Sequence, residues 1–247
     1  KGEYSMNKAI GLILLSALAA NDISAETLLD SMIAVISPEN VKSTVLQIIQ
    51  TSSGKERTFE YESFSSEKGK NVLLKYTKPK KVKDNAFLMK NNADDLWVYF
   101  PRTRRVRKLA SHFKNQKVQG SDFSYEDFSG GEAWKEDFNI KRLQDNNDNY
   151  VLEFTPKPDV KSSYKSMTAY LQKSDYYPVK IDYFDKTGSH LKTLFLKDIK
   201  YVENIPTAMV MEMVNHIEGT RTKMETISIT YDISFPDDFF TEKNMRK

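Results

Sequence analysis

The chain has 247 residues, 39% apolar and 12% aromatic, enough to bury a core; its 37 Lys and Arg against 34 Asp and Glu leave a net charge of only +3. Near-balance of that kind argues against nucleic-acid binding through bulk charge, so any electrostatic role falls to local patches. The absence of cysteine excludes a disulfide framework, a thiolate metal site, a thiol nucleophile and a lipid-modified cysteine.

Residues 1–5 (Lys-Gly-Glu-Tyr-Ser) stand before Met6 and read as a leader remnant. Met6-Asn7-Lys8 and the apolar run 9–20 then read as an export signal over 6–25. The run is shorter than the ~20 apolar residues of a membrane span. Cleavage is expected after Ala25, with Ala19 as the alternative, leaving one exported domain over 26–247.

Apolar residues at 28, 29, 32, 33, 35 and 36 predict an amphipathic helix over 27–36, stopped by Ser37-Pro38. From Val41 onward the period is two. Thirteen segments read as strands: 41–50, 57–65, 71–76, 85–90, 95–100, 104–109, 136–144, 150–155, 166–172, 178–184, 191–201, 208–217 and 223–235. Turn signals such as Ser53-Gly54, Lys68-Gly69, Asn91-Asn92, Lys186-Thr187-Gly188 and Glu218-Gly219 separate them. Many short strands and few helices predict a mainly β fold, an antiparallel barrel or sandwich. Ile227, Ile229, Tyr231 and Ile233 alternate with polar residues, so they are expected to share a buried face. Segments 44–49 and 96–100 are apolar on both faces, and the helix at 27–36 is the expected cover for one of them.

Chemistry-bearing motifs are few. His112, His190 and His216 are scattered, with no second ligand at metal-binding spacing, so no metal and no cofactor is expected. No P-loop, Gly-x-Ser-x-Gly elbow or dinucleotide fingerprint is present. Asp122, Glu126 and Asp127 form the best acidic cluster. Ser124 followed by Asp127 reads as a capping-box-like pair at a short helix, with Phe123, Tyr125 and Phe128 pinning it and Gly130-Gly131 stopping it. A cation site, a carboxylate pair for acid–base work and a partner or cargo contact are the other readings of the same residues. Arg102, Arg104, Arg105, Arg107 and Lys108 form a basic segment: either a solvated hairpin, or a contact for an acidic partner or lipid headgroups. Met209, Met211 and Met213 share one strand face. Their flexible thioethers suit a cavity for varied apolar shapes and equally suit core packing.

The succession Leu96-Trp97-Val98-Tyr99-Phe100-Pro101, then Arg104-Arg105-Val106-Arg107-Lys108, then Gly120-Ser121-Asp122-Phe123-Ser124-Tyr125-Glu126-Asp127 resembles the LolA-like outer membrane lipoprotein-sorting family. Lys78-Pro79 followed by Asn85-Ala86-Phe87-Leu88, the passage Ile205-Pro206 through Met211, Gly219-Thr220-Arg221-Thr222 and residues 235–240 extend the resemblance over most of the mature chain. It implies an incomplete antiparallel barrel of about eleven strands, with short helices covering or plugging a concave apolar face. It also implies a non-enzymatic, monomeric periplasmic carrier that holds acyl chains of a lipid or lipoprotein. An inner-membrane exporter of the RND/MMPL or ABC type is the implied donor, and an outer-membrane acceptor the destination. Leu29, Met32, Ile33, Leu96, Trp97, Val98, Tyr99, Phe100, Met209, Met211 and Met213 are the expected cavity lining. The basic segment is the expected partner or headgroup contact, and Asp122, Phe123, Tyr125, Glu126 and Asp127 the lid. The alternatives are an accessory subunit of an exporter and an envelope-glycan or lipid-modifying enzyme.

Overall fold

In a computed structural model of the chain, residues 23–129 and 131–247 are described. The leader remnant, all but the last three residues of the export signal, and Gly130 lie outside them. Among the described residues no helix is long and apolar enough to cross a membrane.

The first element is helix α1 (Ala25–Ile36). Ser24 caps it, its hydroxyl accepting the Thr27 N–H at 3.1 Å. Leu28, Leu29, Met32 and Ile33 form its buried face. The Ser37 N–H closes the helix on the Ile33 carbonyl at 3.0 Å, and Pro38 prevents continuation.

Then come β1 (Val41–Gln50), β2 (Glu56–Ser66), β3 (Asn71–Lys78), β4 (Ala86–Lys90), β5 (Asp95–Phe100) and β6 (Arg105–Leu109). A segment of single 3-10 turns and the short helix α2 (Glu132–Asp137) follows. β7 (Phe138–Arg142), β8 (Asn149–Pro156), β9 (Tyr164–Gln172), β10 (Pro178–Asp185), β11 (His190–Val202), β12 (Ile205–Asn215) and β13 (Thr220–Tyr231) complete the order. Every segment read as a strand from the sequence is one, and among the described residues the barrel has thirteen strands where the resemblance implied about eleven. α2 was not anticipated; it takes the start of the segment read as strand 136–144.

All thirteen form one antiparallel sheet in the order β6-β5-β4-β3-β2-β1-β13-β12-β11-β10-β9-β8-β7. Two meanders meet where β1 pairs with β13, and the sheet stays open between β6 and β7. Arg105, Arg107 and Lys108 on β6 and Lys141 on β7 are exposed, and such charges discourage pairing of the edges with another chain.

The concave face holds the main core. Val45 and Ile49 of β1, Leu96 and Val98 of β5 and the apolar face of α1 belong to one buried cluster. The helix therefore packs inside the barrel, against β7, β8 and β12. The convex face of β5 is covered instead by the C-terminal segment: Phe235, Phe239, Phe240 and Met245 pack with Trp97, Tyr99, Phe64, Leu73 and Leu88. The Lys75 ammonium ties that segment down on the Asn244 carbonyl at 2.9 Å.

The expected shared face of Ile227, Ile229 and Tyr231 is broken. The β1–β13 register slips between Thr44 and Val45, opposite Ser228 and Thr226, which makes Ile227 the extra residue of a bulge. Below the bulge Thr222 and Met224 point inward; above it Tyr231 does, and Ile227 is left 55% exposed.

Ser24 and Ile23 both contribute to the fold, since the Arg142 guanidinium donates to the Ile23 carbonyl at 2.6 Å. Cleavage after Ala25 would remove both. A chain starting at Ile23 is expected to be more stable than one starting at Glu26, and Ser24→Ala is expected to cost ~1 kcal/mol. Urea unfolding midpoints of the three chains check this.

Candidate functional site

The segment from residue 110 to 137 carries the chain from one open edge to the other and crosses the concave face on the way. It touches both halves of the sheet. The Arg57 guanidinium on β2 donates to the Gly120 carbonyl at 3.2 Å, and the Tyr125 ring lies 6.2 Å from that of Phe87 on β4.

Three buried carboxylates anchor it on the other half. Asp122 accepts from the Thr220 hydroxyl at 2.5 Å and the Thr222 hydroxyl at 2.8 Å, while its N–H donates to Thr222 at 2.9 Å. Glu126 accepts from the hydroxyls of Ser162 and Ser163 and from the Ser163 N–H at 3.0 Å. Asp127 accepts the Ser124 N–H at 2.7 Å, the reciprocal half of the capping box that the sequence suggested. It also accepts the Tyr164 hydroxyl at 2.6 Å and the Lys192 ammonium at 2.5 Å.

The Lys192–Asp127 pair is buried on both sides. Lys192 donates again to the Asp122 carbonyl at 3.0 Å and lies over the rings of Tyr164 and Tyr183, at 5.4 and 5.2 Å. Burial holds both phenols well above the usual tyrosine range, with Asp127 adding to the shift, so they stay neutral beside the charged pair. Phe123 and Tyr125 are buried in the main core and Phe128 packs against it. The box is thus a plug held by charge-assisted hydrogen bonds, and its carboxylates are already committed to partners.

Above this plug lies a cavity of about 360 Å³, within the range of ~300–1,000 Å³ common for small-molecule sites. Its walls come from β1, β2, β3, β12, β13 and the last turn of α1; Val45, Val72, Met211, Met224 and Ile229 are among its apolar residues, and Asp127 and Phe128 form its floor. Its tyrosines are neutral at any physiological pH. Burial pushes the Tyr177 phenol up to about 12, and raises those of Tyr61 and Tyr231 as well.

The cavity sits at the barrel end where α1 runs into β1. β1 ends at the opposite end, where Gln50 faces Glu56. A second depression, on the convex face, is lined by Glu56, Lys197, Glu212, Arg221 and Lys223 and is too charged to receive acyl chains.

The residues expected to line a cavity are distributed differently. Met211 is in the wall. Leu29, Met32, Ile33, Leu96, Val98 and Met213 are fully packed in the core beneath it. Trp97 and Tyr99 face the convex side under the C-terminal segment. Met209 is half-buried, outside the cavity wall. Phe100 is 37% exposed at the far end of β5. Arg102, Arg104 and Arg105 are exposed at that same far end, away from the cavity, and Arg107 is exposed in the middle of β6, opposite Val98, whereas Lys108 pairs with Asp95 at 2.6 Å over the Trp97 ring.

Two of the histidines are not scattered in space. The rings of His190 and His216 lie 4.3 Å apart, and both Nε2 atoms meet the Thr193 hydroxyl, which is also bonded to Asp182 at 2.8 Å. Among the described residues no group of three His, Asp or Glu is arranged to hold a metal ion.

A family model of uncharacterized proteins, DUF1329-like, matches residues 68–247. The chain belongs to this family. No curated protein matches it. Among solved structures, an outer membrane lipoprotein-sorting protein domain from Vibrio parahaemolyticus is 28% identical, with a TM-score of 0.78 over 85% of this chain and 92% of that one. A DUF1329 family protein from Desulfovibrio piger is 23% identical, with a TM-score of 0.81 over 91% and 100%. A LolA superfamily protein from Nitrosomonas europaea is 20% identical, with a TM-score of 0.77 over 90% and 100%. The chain is LolA-like in fold: a mainly β, incomplete barrel with its concave face plugged.

Breaking a buried pair leaves an unmatched charge, which costs ~3–5 kcal/mol, whereas replacing both partners by apolar groups costs far less. Lys192→Met and Asp127→Leu are each expected to destabilise by that amount, and the double substitution by less than their sum. Urea unfolding of the four chains gives the coupling.

Proposed function

We propose that this protein is a periplasmic carrier that shelters acyl chains of a lipid or lipid-modified protein in the cavity above the plug. The observation that carries the reading is the cavity itself: a mainly apolar wall with neutral phenols, over a floor whose one carboxylate, Asp127, is engaged by Lys192 and Tyr164. Each exposed methylene of a cargo costs ~0.8 kcal/mol in water, so a preformed apolar site replaces the bilayer as solvent during transit. The enzyme reading is weaker, because Asp122, Glu126 and Asp127 spend their lone pairs on structural donors. The similarity to the outer membrane lipoprotein-sorting protein domain from Vibrio parahaemolyticus supports an envelope-sorting role. An inner-membrane exporter of the RND/MMPL or ABC type is the proposed donor and an outer-membrane component the proposed acceptor. Export by the segment at 6–25 is part of the proposal, and the bonds made by Ile23 and Ser24 support the alternative cleavage after Ala19 over cleavage after Ala25.

The test is a binding measurement on the purified mature protein. A fluorescent fatty-acid probe is expected to bind and to be displaced by phospholipid. Organic extracts are expected to contain acylated molecules by mass spectrometry. Ile229→Glu places a carboxylate at a partly exposed position of the wall and is expected to weaken probe binding by more than tenfold while the fold is retained. A protein that is lipid-free and refuses the probe would contradict the carrier role and favour an exporter accessory subunit, its concave face filled by the side chains of α1.

A further inference from the structure

We propose that the barrel end remote from the cavity docks on an anionic lipid surface. The β3–β4 loop (79–85) and the β5–β6 turn (101–104) leave the sheet side by side at that end, because β4 and β5 are paired with Ala86 opposite Tyr99. Together the loop and the turn, with Arg105 at the start of β6, present Lys80, Lys81, Lys83, Arg102, Arg104 and Arg105. These six exposed cations are accompanied by a single acid, Asp84. None of the six has a salt bridge or side-chain hydrogen bond among the described residues. The β1–β2 turn adds the exposed Lys55 at the same end.

Phe100, which leads into the arginine turn, is 37% exposed, whereas Tyr99 is buried and Trp97 partly buried under the C-terminal segment. An exposed ring among arginines suits the boundary between headgroups and acyl chains, and unpaired cations suit a surface of phosphates. An acidic protein would also attract the charges, but would not call for the exposed ring. The geometry has a consequence for orientation: with this end on a membrane, the end that holds the cavity points away from it. The docking does not depend on the carrier reading, since no cavity residue takes part.

The test is flotation of the full mature protein with phosphatidylcholine vesicles with or without phosphatidylglycerol. Binding is expected with the anionic vesicles, not with the neutral ones, and is expected to be lost at high salt. Each surface cation contributes roughly fivefold to partitioning. K80Q/K81Q/K83Q and R102Q/R104Q/R105Q are therefore each expected to lower it by more than tenfold. A charge-matched control at the cavity end, K70Q/K173Q/K200Q, is expected to bind nearly as the parent. Thermal unfolding confirms that all variants remain folded, as substitutions of exposed side chains should. No flotation with anionic vesicles, equal flotation with neutral ones, or an equal loss in the control would overturn the proposal. A parent that ignores vesicles but binds an acidic protein would overturn it too.

Discussion

A sheet of thirteen strands that does not close leaves two edges and a concave apolar face, and everything else in this protein answers to that constraint. The chain must travel from β6 to β7 across the opening. The crossing segment has little regular structure, so its polar groups need partners from the sheet beneath. Asp122, Glu126 and Asp127 provide them, by reaching hydroxyls on β13, the loop before β9 and the ammonium of Lys192 on β11. A buried ion pair adds little net stability over an apolar pair, but it penalises any arrangement that separates the charges. Lys192–Asp127 thereby fixes where the plug sits, and so where the floor of the cavity lies.

The same constraint divides the barrel into two unlike ends. At one end the α1 terminus, the plug and five strands enclose a space lined mainly by apolar residues, with serine, threonine and tyrosine between them and Lys68 beside it. At the other, neighbouring loops concentrate exposed lysine and arginine. Apolar lining and basic loops therefore do not meet in one site. The proposed cargo shelter and the proposed surface attachment thus fall at opposite ends, and the basic segment is too far from the cavity to clamp a headgroup there.

Much of the fold is legible in the sequence because strand burial has a period of two and turns announce themselves with Gly, Asn and Asp. The helix at the start, its Ser37-Pro38 stop and all the strand segments follow from those local rules. What local rules miss is set by long-range pairing. The bulge at Ile227 is a register slip against Thr44, invisible in the β13 sequence alone. The cover of Trp97 and Tyr99 comes from Phe235 and Phe239, far along the chain, and not from the first helix. Lys192 gave no signal as the partner of Asp127, and His190 and His216 meet only because β11 turns back into β12. The apolar residues expected to line a cavity were the most strongly apolar ones, and these are the residues the core takes first. The actual wall mixes Val, Met and Ile with Ser, Thr and Tyr, a composition that no hydrophobic pattern singles out.

The most direct test of the account is to locate an acyl chain on the protein. A photoactivatable fatty acid bearing a diazirine near its methyl end would be bound, irradiated and mapped by peptide mass spectrometry. The account predicts adducts on β1, β2, β12 and β13, at positions such as Val45, Tyr61, Met211 and Ile229, and on Phe128 of the plug. Adducts confined to the convex face or to the β5–β6 turn would contradict it.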